Sequence, residues 1–144
     1  MPEQEGFFER VVLDTSALIG AILLPQSVPR YAFMKALGSG TLCASPATLA
    51  ELEQVLMREK FDRYLDRDSR LDFLQRYRHQ VLMFPVTEAE EAGLPQACRD
   101  PRDNKFLALA LHCSADVLVS SNDDLLVLNP WQGIPILTPA QFLK

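Results

Sequence analysis

Val11-Val12-Leu13-Asp14-Thr15-Ser16 sets three apolar residues in a row against a carboxylate and two hydroxyls. A short unbroken apolar run fits a strand buried on both faces, the condition inside a parallel sheet. Asp14 then stands just past the strand's carboxyl end. Outward from this point the chain alternates strand and helix. A helix is predicted from about Ser16 to Leu23, stopped by Pro25, and a second from Pro29 to Leu37, ended by Gly38 and Gly40. Thr41 to Ala44 reads as the next strand. Ser45-Pro46 is an N-cap followed by proline at the first helical position, opening a helix to about Glu59. Asp66 to Arg78 is a further amphipathic helix, and Val81-Leu82-Met83-Phe84 a third strand closed by Pro85. A short helix is expected from Thr87 to Leu94, and Asp100-Pro101 opens one that continues to about Cys113. Strands at Val117 to Ser120 and Pro135 to Leu137 and a short terminal helix complete the pattern. Five strands separated by helices predict an α/β fold, a three-layer α/β/α arrangement around a mainly parallel five-stranded sheet.

A chain of 144 residues with 48% hydrophobic content suits one well-buried core, so residues 1–144 are read as a single domain. No apolar run approaches the roughly 20 residues that span a bilayer. The acidic start from Met1 to Glu5 has the wrong charge for a secretory leader, so a cytoplasmic protein with no membrane partner is expected. Cys43, Cys98 and Cys113 are odd in number and far apart, which predicts buried thiols rather than a disulfide framework. His79 and His112 share no zinc-ligand spacing with each other or with a cysteine pair. The net charge of −5 argues against a protein that coats nucleic acid by bulk electrostatics. It leaves room for a nuclease, because clustered carboxylates create such a deficit and a bound divalent cation reverses the local sign.

In open α/β sheets the functional site lies beyond the carboxyl ends of the strands, near the point where strand order reverses. The residues at those ends here are Asp14, Ser45 and the run Ser120-Ser121-Asn122-Asp123-Asp124. Asp14 before Thr15-Ser16 suits both a helix cap and a site acid, and the two hydroxyls suit capping or orienting a carboxylate. Glu51 lies about two turns into its helix, past the capping positions and beside Leu49, Leu52, Val55 and Leu56. Its spacing fits an ordinary exposed helical glutamate and a site acid equally. Asp100 is a natural N-cap and Asp103 complements a helix dipole, a reading that needs no chemistry. Phe106, Leu107, Ala110 and Leu111 nevertheless bury that helix, pinning two carboxylates at its tip against the sheet. Converging carboxylates repel one another unless a cation joins them. An all-oxygen cluster suits Mg²⁺ or Mn²⁺, ions that bind phosphates and stabilise the charge of an in-line displacement. Phosphodiester hydrolysis follows.

The ordered set Val11 to Ser16, then Glu51, then Asp100-Pro101-Arg102-Asp103-Asn104-Lys105-Phe106-Leu107, then Ser120-Ser121-Asn122-Asp123-Asp124-Leu125-Leu126, resembles the PIN-domain family. It looks most like the branch of toxin components related to the VapC-type toxins. The resemblance implies a metal-dependent endoribonuclease with Asp14, Glu51 and Asp103 as its three main acids and Asp100 as a further one. It also implies an antitoxin partner and a homodimer. The chain departs from the family where many members carry Thr-x-Asp-x-Asp. Asn122 occupies the first acid position and Asp124 keeps the second, so metal ligation is expected from Asp14, Glu51, Asp100, Asp103, Asn122 and Asp124.

Arg102 and Lys105, beside the acidic tip, are the expected contacts to RNA phosphates, with Thr15, Ser16 and Ser120 at the strand ends nearby. Seven basic residues between Arg58 and Arg78 are interleaved with Glu59, Asp62, Asp66, Asp68 and Asp72, which reads as a solvated helical face. Tyr64, Tyr77 and Trp131 are read as packing rather than as a base-stacking platform. Two other readings remain open: a non-catalytic binding module with a weakened metal site, and a DNA- or flap-directed nuclease or small phosphohydrolase using the same acids.

Overall fold

The computed structural model describes residues 8–144, so the acidic start lies outside the described residues. Its sheet has five strands: β1 (Arg10–Leu13), β2 (Thr41–Ala44), β3 (Leu82–Met83), β4 (Val117–Val119) and β5 (Ile136–Leu137), in the order β3-β2-β1-β4-β5. Every pairing is parallel, including Val11↔Val117 and Leu13↔Val119 at the centre. Strand order therefore reverses between β1 and β4, and Asp14 and Ser120 stand there side by side.

Side chains alternate across the sheet and separate two cores. Val11, Leu13, Val117 and Val119 face one core, with α1 (Thr15–Leu23), α2 (Val28–Ser39), α3 (Pro46–Leu56), α4 (Arg67–Gln80) and α8 (Pro139–Leu143) supplying its other wall. Val12, Leu118 and Ile136 face the opposite core, closed by Phe106, Leu107 and Ala110 of α6 (Asn104–His112) and by Trp131. The remaining helices, α5 (Glu88–Ala92) and α7 (Asp123–Leu126), are short. Val11, Val12, Val117, Leu118 and Val119 are fully buried, as a doubly covered parallel sheet demands. Among the described residues no helix is long and apolar enough to cross a membrane. Cys43, Cys98 and Cys113 are free and buried, and Tyr77 and Trp131 are core residues.

β3 and α5 are shorter than expected, and two helices depart from the expected course. α3 ends at Leu56 rather than near Glu59, and a 3-10 turn over Glu59–Phe61 follows. The cause is Arg70 of α4, whose guanidinium donates to the carbonyls of Leu56 at 2.8 Å and Arg58 at 3.1 Å and pairs with Asp62. Arg70 is 1% exposed, so the basic stretch is not wholly a solvated face. The predicted helix from Pro101 to Cys113 is split into a 3-10 turn, Pro101–Asp103, and α6 proper. Asp100 accepts the Arg102 N–H at 3.0 Å, closing a turn too tight for an α-helix, and Asn104 Oδ1 accepts the Cys98 N–H at 2.7 Å.

Candidate active site

Asp14 caps α1 and stands at the carboxyl end of β1, beside β4. Its Oδ1 accepts the Ser16 hydroxyl at 2.7 Å and the Ala17 N–H at 2.9 Å, and its Oδ2 accepts the Ser120 hydroxyl at 2.5 Å. It is only 2% exposed. Burial dominates these hydrogen bonds and pushes its carboxyl up to about 6, with the charge of Asp103 adding to the rise. Ser120, fully buried, also accepts the Asn122 N–H at 2.9 Å, and Ser16 Oγ accepts that of Ser121 at 3.2 Å.

The tip of α6 supplies the next acids. Asp103 precedes the helix without capping it, which leaves its carboxylate free to accept from Asn122 Nδ2 at 2.9 Å. Its carboxyl is raised, first by burial and then by the charges of Asp100, Glu51 and Asp124, while the Asn122 hydrogen bond opposes the rise. One carboxylate oxygen from each of Asp100, Asp103 and Asp124 lies within 4.8 Å of the other two. Asp14 and Glu51 lie outside that triplet, yet their charges reach Asp103. Asn122 caps α7, its Oδ1 accepting the Asp124 N–H at 3.0 Å.

Glu51 projects from α3 between two other helices and is partly buried, unlike an ordinary exposed glutamate. Thr15 Oγ1 donates to its Oε2, and Lys105 Nζ donates to its Oε1 at 2.6 Å. Lys105 also donates to the Arg102 carbonyl at 2.8 Å. Arg102 pairs with Asp100 through Nη2 at 2.9 Å, which with the Arg102 N–H holds the Asp100 carboxyl below its ordinary value. Asp14, Ser16, Ser120, Asn122, Asp103 and Asp124 form one hydrogen-bonded group and Thr15, Glu51, Lys105, Arg102 and Asp100 a second, joined by the Asp103 N–H, which donates to the Asp100 carbonyl at 3.0 Å. The hydroxyls of Thr15, Ser16 and Ser120 are all turned onto carboxylates.

The sequence pattern of the family described as PIN domain matches residues 10–124, a span containing all of these acids. The chain belongs to the PIN domain family. No curated protein sequence matches it significantly. Among solved structures, its PIN fold is similar to a chain of VapBC2 from Rickettsia felis bound to a DNA fragment from their promoter, with TM-score 0.59 and 18% identity over 90% of this chain and 98% of that one. It is similar also to Mycobacterium tuberculosis VapC20, a sarcin-ricin loop cleaving toxin, with TM-score 0.58 and 13% identity over 87% of this chain and 98% of that one. DNA-bound VapBC from Salmonella typhimurium gives TM-score 0.59 and 20% identity over 91% and 98% of the two chains.

Sequence reasoning missed one basic residue of this PIN site. Arg99 Nε pairs with Asp124 Oδ1, and Asp124 in turn holds the Arg99 guanidinium above its usual range. The available signal was its place immediately before Asp100-Pro101, next to the acidic tip.

Proposed function

We propose that this PIN domain, a single domain over the whole chain, is a metal-dependent endoribonuclease and the toxin component of a toxin–antitoxin pair. The observation that carries the reading is the convergence of Asp100, Asp103 and Asp124 to within 4.8 Å beside the buried Asp14, in a PIN fold. Carboxylate oxygens packed this closely are the donor set of a hard divalent ion, so Mg²⁺ or Mn²⁺ fits the residues present. Asp14, Glu51, Asp100, Asp103 and Asp124 would hold it, with Asn122 orienting Asp103. The ion would supply Lewis-acid stabilisation of the charge that develops on a phosphodiester under attack. Ser16 and Ser120 aim Asp14, Thr15 aims Glu51, and Arg99, Arg102 and Lys105 line the rim where RNA phosphates would arrive. VapC20, described as cleaving the sarcin-ricin loop, supports RNA as the substrate.

RNA cleavage in Mg²⁺ or Mn²⁺ and its absence in EDTA is the expected result. Asp103→Asn should lower the rate by about 10²- to 10³-fold, the cost of losing one preorganised charge at the reaction centre. The substitution keeps an oxygen for Asn122, so native unfolding is expected to survive it. Equal cleavage of DNA or a simple phosphate ester would favour a DNA-directed nuclease or a phosphohydrolase.

The DNA-bound VapBC complexes support an antitoxin as the partner of this chain, and homodimer formation goes with the same reading. An arginine from the antitoxin suits the acidic pocket, because its planar fork matches a carboxylate. Expression of the chain alone should arrest growth and co-expression of its partner should relieve it. Unaffected growth on expression of a folded chain counts against the toxin assignment. A cytoplasmic location goes with the same reading.

A further inference from the structure

The five carboxylates of the site face three cations of the same chain, and each cation is already paired: Arg99 with Asp124, Arg102 with Asp100, and Lys105 with Glu51. The imbalance is two negative charges, the charge of one divalent ion. The three pairs differ in exposure. The Arg99 and Arg102 side chains are 61% and 83% exposed, whereas Lys105 and Glu51 are 19% and 21% exposed. Solvent screens the two arginine pairs heavily and the lysine pair much less, so Lys105 is the cation that belongs to the site itself.

Asn122 supplies no anionic ligand to the neighbouring acids. Its amide oxygen accepts the Asp124 N–H, and its amino group donates to Asp103. Those two partners fix the amide's orientation, since a flipped amide would set N–H against N–H and oxygen against carboxylate. The group that Asn122 turns toward Asp103 is therefore a hydrogen-bond donor, so Asn122 adds no oxygen to the site and the ion count rests on the carboxylates and on Lys105.

Resting on the metal-nuclease reading above, we infer that this PIN domain holds a single divalent ion and that the Lys105 ammonium, seated on Glu51, takes the place of a second one. The helix geometry supports this. Lys105 lies two residues after Asp103 in the first turn of α6, and its Nζ crosses to α3 with 2.6 Å to Glu51 and 2.8 Å to the Arg102 carbonyl. An ammonium has three donors. Two are engaged, and the third is left for a phosphate oxygen. Unlike an ion drawn from solution, this cation is always present and needs no second binding event.

The test is Mn²⁺ stoichiometry of the full chain by titration calorimetry, with the electron paramagnetic resonance spectrum as an independent count of spin-coupled ions. Wild type and Lys105→Arg are each expected to bind one ion. Lys105→Met, which frees Glu51 and removes the resident charge, is expected to bind two. Asn122→Asp, which leaves Lys105 in place, is expected to stay at one. Two ions in wild type, two in Asn122→Asp, or one in a natively folded Lys105→Met would each overturn the assignment of Lys105. If Lys105→Met does not fold, the wild-type and Asn122→Asp counts still decide the matter. No Mn²⁺ bound to wild type is a different failure, since it removes the metal-nuclease reading along with the inference that rests on it.

Discussion

Asp14→Asn is expected to give a protein that unfolds at a higher temperature than wild type and no longer cuts RNA. The carboxyl of Asp14 is raised from 3.8 to about 6 in the folded chain because burial outweighs the three hydrogen bonds it accepts. An acid whose folded value lies above its unfolded value contributes stability below the unfolded value and loses it as pH rises through the folded one. The metal-free wild type should therefore lose stability between about pH 4 and pH 6.5, by up to about 3 kcal/mol. Asn removes the charge and keeps an oxygen for Ser16 and Ala17, and its amino group meets the Ser120 hydroxyl, which can accept. Asp14→Asn should lack that slope in EDTA and melt on the order of 10 °C higher at pH 7. Cleavage should fall by at least about 10²-fold. A variant less stable than wild type at every pH between 4 and 8 would reduce Asp14 to a helix cap.

The opposite outcome is expected of Arg70→Met, which should lower stability by about 2 to 4 kcal/mol in urea unfolding. The guanidinium closes the end of α3 by bonding the Leu56 and Arg58 carbonyls, and a buried acceptor left without a partner costs roughly 1–3 kcal/mol. Among the described residues Arg70 Nε is the one fully buried side-chain nitrogen or oxygen atom lacking a partner, so removing it returns part of the loss. Methionine fills much of the same volume, which isolates the polar contribution. Arg76→Ala is the control. Its ion pair with Asp72 joins two well-exposed side chains one helical turn apart and should matter by less than about 0.5 kcal/mol. Equal losses at Arg70 and Arg76 would show that the basic stretch is a solvated face after all.

Local sequence carried the fold wherever one residue's chemistry forces the backbone. The run Val11 to Leu13 ending at Asp14, the cap at Ser45-Pro46 and the strand Thr41–Ala44 all lie where the pattern put them. The positions of Asp14 and Asp103 were legible for the same reason: Asp14 follows the apolar strand β1 and Asp103 precedes the apolar helix α6, boundaries that helix capping and dipole effects also favour. What stayed hidden depends on partners distant along the chain. Lys105 meets Glu51 across 54 residues and Arg99 meets Asp124 across 25, and no spacing rule announces either pair. Arg70 was more nearly legible, because it shares a helical face with Leu74 and Tyr77, both buried. The strand β3 was overestimated because its two residues, Leu82 and Met83, are 46% and 41% exposed at the sheet's edge despite their apolar character.

The pairing of β1 with β4 also governs when the site comes into being. Val11, Val12 and Leu13 find Val117, Leu118 and Val119 only after more than a hundred residues have been made, and Ser120, Asn122 and Asp124 follow that strand directly. During synthesis the amino-terminal helices emerge first, and long-range closure waits for the later strand. A nascent chain released between residues 103 and 117 has Asp14 without Ser120 and Asp103 without Asn122. Such a chain carries Asp14, Glu51, Asp100 and Asp103 in sequence but lacks β4 and the Ser120, Asn122 and Asp124 contacts that join them, so the arrangement described above cannot form in it.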